Sequence, residues 1–194
     1  GYGWVEDMEA KWNVIVSELQ ISLALDDNDS DVHRILAAVS ITRHEFDKAV
    51  FHQDRALSLN PNDDLIVVQK GELLAWLGRP EDGIEWIEKA MRLNPYHPER
   101  FWNHLGRTYF IACRYSEAIA AFHKISSPDH DHHAFLAAAN DEMGDQTAAG
   151  AHVAQALAQQ PDFSIALYLE TMRYARDEER NQHRDALLKA GFPE

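Results

Sequence analysis

Apolar residues recur along most of this chain at the three-and-four spacing of helices buried on one face. Residues 5–25 carry that spacing without interruption and predict one long helix. Further on, Ala56-Leu57-Ser58-Leu59-Asn60-Pro61 and Ala90-Met91-Arg92-Leu93-Asn94-Pro95 match in phase, 34 residues apart. Ala156-Leu157-Ala158-Gln159-Gln160-Pro161 repeats the phrase, and Ser22-Leu23-Ala24-Leu25-Asp26-Asp27 is a degenerate copy. Each phrase closes a helical run, and the Pro or Asp-Asn after it stops the helix. Gly78-Arg79-Pro80 and Gly144-Asp145 fall between phrases as turn signals and split each period into two helices. The fold class expected is therefore all-α, an α-solenoid of helix-turn-helix units.

The third unit shows the pattern best. Trp102, Leu105, Gly106 and Tyr109 share one face of a first helix, and Ala118, Phe122 and Ile125 face back from a second. Gly106 and Ala118 are small where two backbones must approach. Leu36, Ala37, Ala49 and Ala56 hold the same phase in the first unit; Val67, Gly71, Leu74, Ile87 and Ala90 hold it in the second. Leu136, Ala137, Ala149, Val153 and Ala156 do so in the fourth. Two helices in 34 residues is the tetratricopeptide (TPR) pattern, and residues 30–161 resemble a TPR array. The resemblance implies a right-handed superhelix of about four units, at 30–63, 64–98, 99–129 and 130–163. An N-terminal helix (1–29, a partial repeat) and a C-terminal capping region (162–194) flank it. Lys70 stands where the pattern wants Leu, Gln53 where it wants an aromatic and Gly83 where it wants Ala, so the second unit is expected to be the least rigid. One residue is inserted around Tyr96-His97-Pro98, and the joint near Ser126-Ser127-Pro128 is shortened. Residues 164–175 and 178–190 are expected to form two closing helices, because a solenoid needs a polar-faced cap.

Charge and cysteine content narrow the partners. With 18 Lys plus Arg against 32 Asp plus Glu, the net charge of −14 argues against nucleic acid and anionic lipid as partners of this chain. A single cysteine, Cys113, excludes an internal disulfide and any multi-cysteine zinc cage. Cys113 falls at the turn of the third unit and reads as a small filler. No apolar run is long enough for a membrane span, and a cytoplasmic location is expected. The opening Gly1-Tyr2-Gly3-Trp4, without an initiator Met, reads as a cut from a longer protein. Tyr2, Trp4 and Trp12 near that end could pack on a missing helix or on a second copy, which keeps homodimerisation open.

Some phrases go beyond a generic repeat. Leu77-Gly78-Arg79-Pro80-Glu81-Asp82-Gly83-Ile84-Glu85-Trp86-Ile87, followed by Met91-Arg92-Leu93-Asn94-Pro95-Tyr96-His97-Pro98, is similar to the TPR region of bacterial class III adenylate/guanylate cyclases. The ending Leu188-Lys189-Ala190-Gly191-Phe192-Pro193-Glu194 is similar to the C-terminus of that group. The resemblance implies a non-catalytic C-terminal region behind a cyclase domain. Similar repeats also follow winged-helix domains in bacterial regulators, and a solenoid sensing a small ligand is the third alternative. No catalytic residue and no cofactor are expected.

In TPR arrays the first helices line a concave groove. The matching positions are Arg34 in the first unit, Leu65, Val68, Glu72 and Trp76 in the second, and Arg100, Asn103, Arg107 and Phe110 in the third. The expected partner is a protein or peptide, with Arg100 and Arg107 able to hold a carboxylate bidentately. The clamp that TPR proteins use for acidic peptide C-termini needs an Asn where this chain has Ala38, so that specificity is not expected. Asp129-His130-Asp131-His132-His133 contains types that ligate zinc or nickel. Adjacent helical residues do not share a face, and His133 falls on the packing position of Trp102. A structural or adventitious role is therefore the expectation for His130, His132 and His133, with a metal site as the minor alternative.

Overall fold

The computed structural model describes residues 2–194, with side chains from Trp12 onward. Tyr2 and Trp4, two of the residues proposed to meet a second copy, lie outside the described side chains; Trp12 is half-buried. A long helix α1 (Tyr2–Leu25) precedes four antiparallel helix pairs. These are α2 (Ser30–Thr42) with α3 (Phe46–Leu59), α4 (Asp64–Trp76) with α5 (Pro80–Leu93), α6 (Arg100–Ile111) with α7 (Tyr115–Phe122), and α8 (His130–Glu142) with α9 (Gln146–Gln159). A short α10 (Ile165–Thr171) and a closing α11 (Asp177–Ala190) follow. No strand occurs among the described residues. Each pair packs on the next, and the first helices α2, α4, α6 and α8 stand side by side.

Local chemistry sets these boundaries. Asp29 and Asp63, one repeat apart, cap α2 and α4 by accepting from the backbone N–H groups of Asp31 and Val32, and of Leu65 and Ile66. Each such cap is worth about 1 kcal/mol. Asp129 caps α8 by accepting from the His132 N–H at 3.0 Å, and the His132 imidazole accepts from the Asp129 N–H at 3.1 Å. The third unit departs: Glu99 makes no side-chain cap and accepts instead from the backbone N–H and hydroxyl of Ser126. With the shortened joint at Ser126–Pro128, α7 keeps only 8 residues against 14 in α3, α5 and α9.

The turn inside every pair needs one left-handed residue, and these are His44 (φ 57°), Gly78 (φ 75°), Cys113 (φ 58°) and Gly144 (φ 83°). Cys113 is thus not a filler. It is exposed and holds the backbone position that glycine takes in two of the other units. Between α4 and α5 the backbones touch: a Cβ on Gly83 would lie 2.7 Å from the Gly71 carbonyl oxygen. Alanine, which the repeat pattern wants there, does not fit. The other two departures are bridged. Buried Gln53 donates to the Ile66 carbonyl at 2.8 Å, and Lys70 pairs with Asp54 at 2.6 Å, so both tie α3 to α4.

The closing region differs from two simple cap helices. The first stops at Thr171, and residues 172–176 run without helix into the concave face. Tyr174 lies buried edge-on to Trp76, with ring centroids 5.0 Å apart. The Ala175 N–H donates to the Trp76 carbonyl at 2.9 Å, and Arg176 donates to the Gly78 carbonyl. From there α11 runs back past the turns of the third and fourth units, where Gln182 donates to the Tyr115 hydroxyl and Lys189 pairs with Asp141 and Glu142 at 3.1 Å. Leu187 and His183 are its fully buried residues. This strap is held by burial of its apolar side chains, Tyr174, Ala186 and Leu187 among them.

Candidate functional site

The concave face carries the groove residues, and the C-terminal strap divides it. Trp76 and Phe110 are 2% and 1% exposed. Tyr174 covers Trp76, and His183 packs on Phe110 at 4.8 Å between centroids. Val68 is also buried. The open part is a cavity of about 140 Å³ between α2, α4 and α6. Arg34, Leu65, Val68, Glu72 and Arg100 line it, together with Gln69 and His104. Thus the structure brings together five of the nine groove positions. Asn103 is half-buried with its side-chain oxygen unpartnered, and Arg107 is held in the wall by Asp131 at 3.5 Å and by the face of Phe135.

Glu72 is the electrostatic centre of this face. Burial alone would raise its pKa, but His104 at 3.5 Å and Arg173 at 3.7 Å, with Arg107 beyond, hold the carboxyl well below its ordinary range. Glu72 is therefore a fixed anion, with the Arg173 guanidinium as its charged neighbour. Arg34 pairs with Asp31 at 3.0 Å, whereas Arg100 is exposed and has no ion-pair partner among the described residues. Arg100 thus stands at the mouth of the cavity as a cation unpaired among the described residues, with the apolar Leu65 and Val68 beside it.

Gln69, His104 and Arg173 were missed by the sequence reading. Gln69 donates to the Arg34 carbonyl at 2.9 Å, across neighbouring first helices. His104 lies one turn after Arg100 and was within reach of helical spacing. Arg173 comes from outside the repeats, where repeat phase gives no guidance.

The three histidines of α8 are engaged separately. His130 faces Asp131 at 3.3 Å, and His132 closes the helix cap. His133 meets His152 with Nδ1···Nδ1 3.0 Å. The first unit repeats that pair, His33 with His52, at 2.9 Å. Such a pair holds only while at least one ring accepts, and burial lowers the pKa values of His52, His133 and His152. No group of three ligating residues converges among the described residues.

Comparison with solved structures identifies the architecture. The Cut9–Hcn1 hetero-tetramer of the APC/C superposes with TM-score 0.75 at 18% identity, over 86% of this chain and 34% of that one. The fold is a TPR solenoid. YrrB, described as a TPR protein with an unusual peptide-binding site, matches over 89% of this chain and 90% of its own (TM-score 0.59, 18% identity). PilF of Pseudomonas aeruginosa matches over 87% and 79% (TM-score 0.62, 17% identity). Among curated proteins, the peroxisomal targeting signal receptor of Kluyveromyces lactis is 33% identical over 105 residues, 54% of this chain and 18% of the receptor. Human tetratricopeptide repeat protein 13 is 33% identical over 70 residues, 36% of this chain and 8% of that protein. The chain thus spans less than a fifth of the curated relatives it matches. No family model matches it. None of its described helices is long and apolar enough to cross a membrane.

Proposed function

We propose that this TPR solenoid is a protein-interaction module that takes an extended partner segment into the open half of its concave groove. The observation that carries this reading is the groove's own behaviour: residues 172–176, in non-helical conformation, are held there by the Tyr174–Trp76 contact, by the Arg173–Glu72 ion pair and by hydrogen bonds to turn and helix-end carbonyls. A foreign segment can use the same physics one unit further along, where Leu65 and Val68 offer apolar surface and Arg34 and Arg100 offer charge. Peptide recognition commonly combines apolar pockets with a few charged groups that fix orientation. The signal receptor and the peptide-binding YrrB among the similar proteins fit the same class. The segment favoured by the unpaired Arg100 carries a carboxylate.

The finer reading is a non-catalytic C-terminal region of a bacterial class III adenylate/guanylate cyclase, in the cytoplasm. It rests on the phrases 77–87, 91–98 and 188–194, and the sequence preceding Gly1 tests it: cyclase carboxylate motifs support it, and a winged-helix pattern overturns it. The binding reading is tested by selecting random displayed peptides on the purified chain and titrating the enriched ones. Arg34→Ala/Arg100→Ala is expected to weaken them at least tenfold, the loss of a charge-assisted contact. Enriched peptides that bind the double variant equally well overturn it.

A further inference from the structure

Two units carry a histidine on each of their helices, and in both the rings face one another in the same way. His33 on α2 meets His52 on α3 with Nδ1···Nδ1 2.9 Å, and His133 on α8 meets His152 on α9 at 3.0 Å. In each pair the ring centroids are 5.2 Å apart, close to the nitrogen contact plus two ring radii. The rings therefore meet nearly head-on, each Nδ1 aimed at the other, which is the geometry of one N–H donating to the facing nitrogen. The matching positions hold Val67 and Trp86 in the second unit and Trp102 and Ala121 in the third. The fold accepts apolar residues there, so packing alone does not call for imidazole.

The outer contacts of the first pair fix its proton count. His33 Nε2 lies 3.2 Å from the Asp27 carbonyl oxygen, which can only accept, so Nε2 carries the proton and Nδ1 of the neutral ring accepts. His52 then donates from Nδ1, and its Nε2 is free to take a proton. A first added proton enters there and leaves the Nδ1–H···Nδ1 bond in place. A second belongs on His33 Nδ1 and sets two N–H groups against each other. The closed pair thus holds one added proton, whereas an open pair takes two. Burial, with the charges of His33 and Lys48, lowers the pKa of His52. The other charged groups around the pair are engaged: Arg55, one turn after His52, donates to Asn28, and the Asp29 carboxylate caps α2. From α4, Lys70 pairs with Asp54, and on the α1 side Arg43 donates to Asn13.

The pair also bears on the groove. His33 directly precedes Arg34, which lines the open cavity, and the Arg34 carbonyl accepts from Gln69 of α4 at 2.9 Å. The first turns of α2 are thus tied to α3 by the histidines and to α4 by Gln69. Whatever fixes them against α3 fixes the place of Arg34 in the cavity wall.

We infer that the His33–His52 pair is a proton-operated latch on the groove: it holds one added proton, and a second parts the first turns of α2 from α3 and moves the Arg34 wall of the cavity. Its consequence for partner binding rests on the groove reading, but the latch itself is testable without a partner. In the full chain carrying ¹⁵N-histidine, long-range proton–nitrogen spectra read each ring nitrogen. At about pH 8, above the ordinary histidine range, His33 is expected to be protonated at Nε2 and His52 at Nδ1. Below pH ~6.5 the protection of the amides of residues 33–37, corrected for intrinsic exchange, is expected to fall about tenfold per pH unit, the linkage of one proton. The Gln69 side-chain amide is expected to shift with it. In His52→Gln the new amide can donate to His33 or accept from it without titrating, so the variant is expected to fold and to lose that slope. His152→Gln is expected to keep it. A proton on His33 Nδ1 at about pH 8, protection that holds while both rings are protonated, or the same slope in His52→Gln overturns the latch. Displayed peptides that need Arg34 and Arg100 but bind equally across this pH range overturn the latch's hold on the groove and leave the groove reading standing. A latch transition in a chain that enriches no peptide does the reverse.

Discussion

His183 makes the strap sensitive to acid, by an amount the structure allows to be worked out. Its ring is fully buried, stacked on Phe135 at 4.6 Å between centroids and beside Phe110, with Nδ1 at 2.9 Å from the Tyr174 hydroxyl and Nε2 unpartnered. Burial, with the Arg107 charge added, pushes its pKa down to about 3 from the ordinary 6.5. As pH falls below 6.5 the unfolded chain takes up a proton at His183 that the folded chain refuses. The folded state therefore loses stability on acidification, at about 1.36 kcal/mol per pH unit, until the pH reaches about 3. Between pH 7.5 and pH 5 the loss from this one residue is ~2 kcal/mol. Urea denaturation of the wild type and of His183→Leu at both pH values measures it. The variant lacks the bond to Tyr174 and is expected to start about 1 kcal/mol lower. Its further drop between the two pH values is expected to be smaller than the wild type's by about 2 kcal/mol. The histidine pairs also titrate, but they are common to both proteins and cancel in that difference. Identical pH slopes would show that His183 is hydrated or charged in the folded chain and would refute the reasoning.

Two further substitutions probe the packing. Gly83→Ala restores the residue the repeat pattern wants and gains about 1 kcal/mol of helix propensity. Its Cβ, however, meets the Gly71 carbonyl oxygen at 2.7 Å, a backbone atom that cannot swing away, and overpacking of this kind costs about 1–3 kcal/mol. Net destabilisation in thermal or urea unfolding is expected, and a stabilised variant would mean that α4 and α5 separate freely. Tyr174→Ala removes the aromatic that closes over Trp76 and is expected to cost about 3 kcal/mol. Amide exchange in residues 172–190 should then quicken while α2–α7 keep their protection; unchanged exchange would mean that the strap does not depend on this contact.

Much of this architecture was readable from period alone. The repeated Ala-x-x-Leu-Asn-Pro phrase ends α3 and α5 as expected, and Gly78 and Gly144 mark turns that need positive φ. These are local facts, in which a helix stop or a left-handed residue depends on chemistry within a few positions. The groove stripe was legible for the same reason, since Arg34, Leu65, Glu72 and Arg100 follow from helical spacing and repeat phase and line one cavity. Cys113 was legible in place but not in role, because nothing in the sequence distinguishes a small packed residue from a strained turn residue.

Tertiary structure alone decided what lies in the groove. That Trp76 and Phe110 are covered, that α10 stops at Thr171, and that Arg173 faces Glu72 all follow from a segment 70–100 residues away returning to the concave face. Repeat phase ends before that segment begins, and the contacts that hold it are burial and hydrogen bonds across the fold, which leave no periodic mark. The −14 net charge behaves in the same way. The sequence determined its size and sign, but only packing placed Arg34 and Arg100 at the same opening beside Glu72. A sum of charges carries no positions, and recognition depends on where each charge stands.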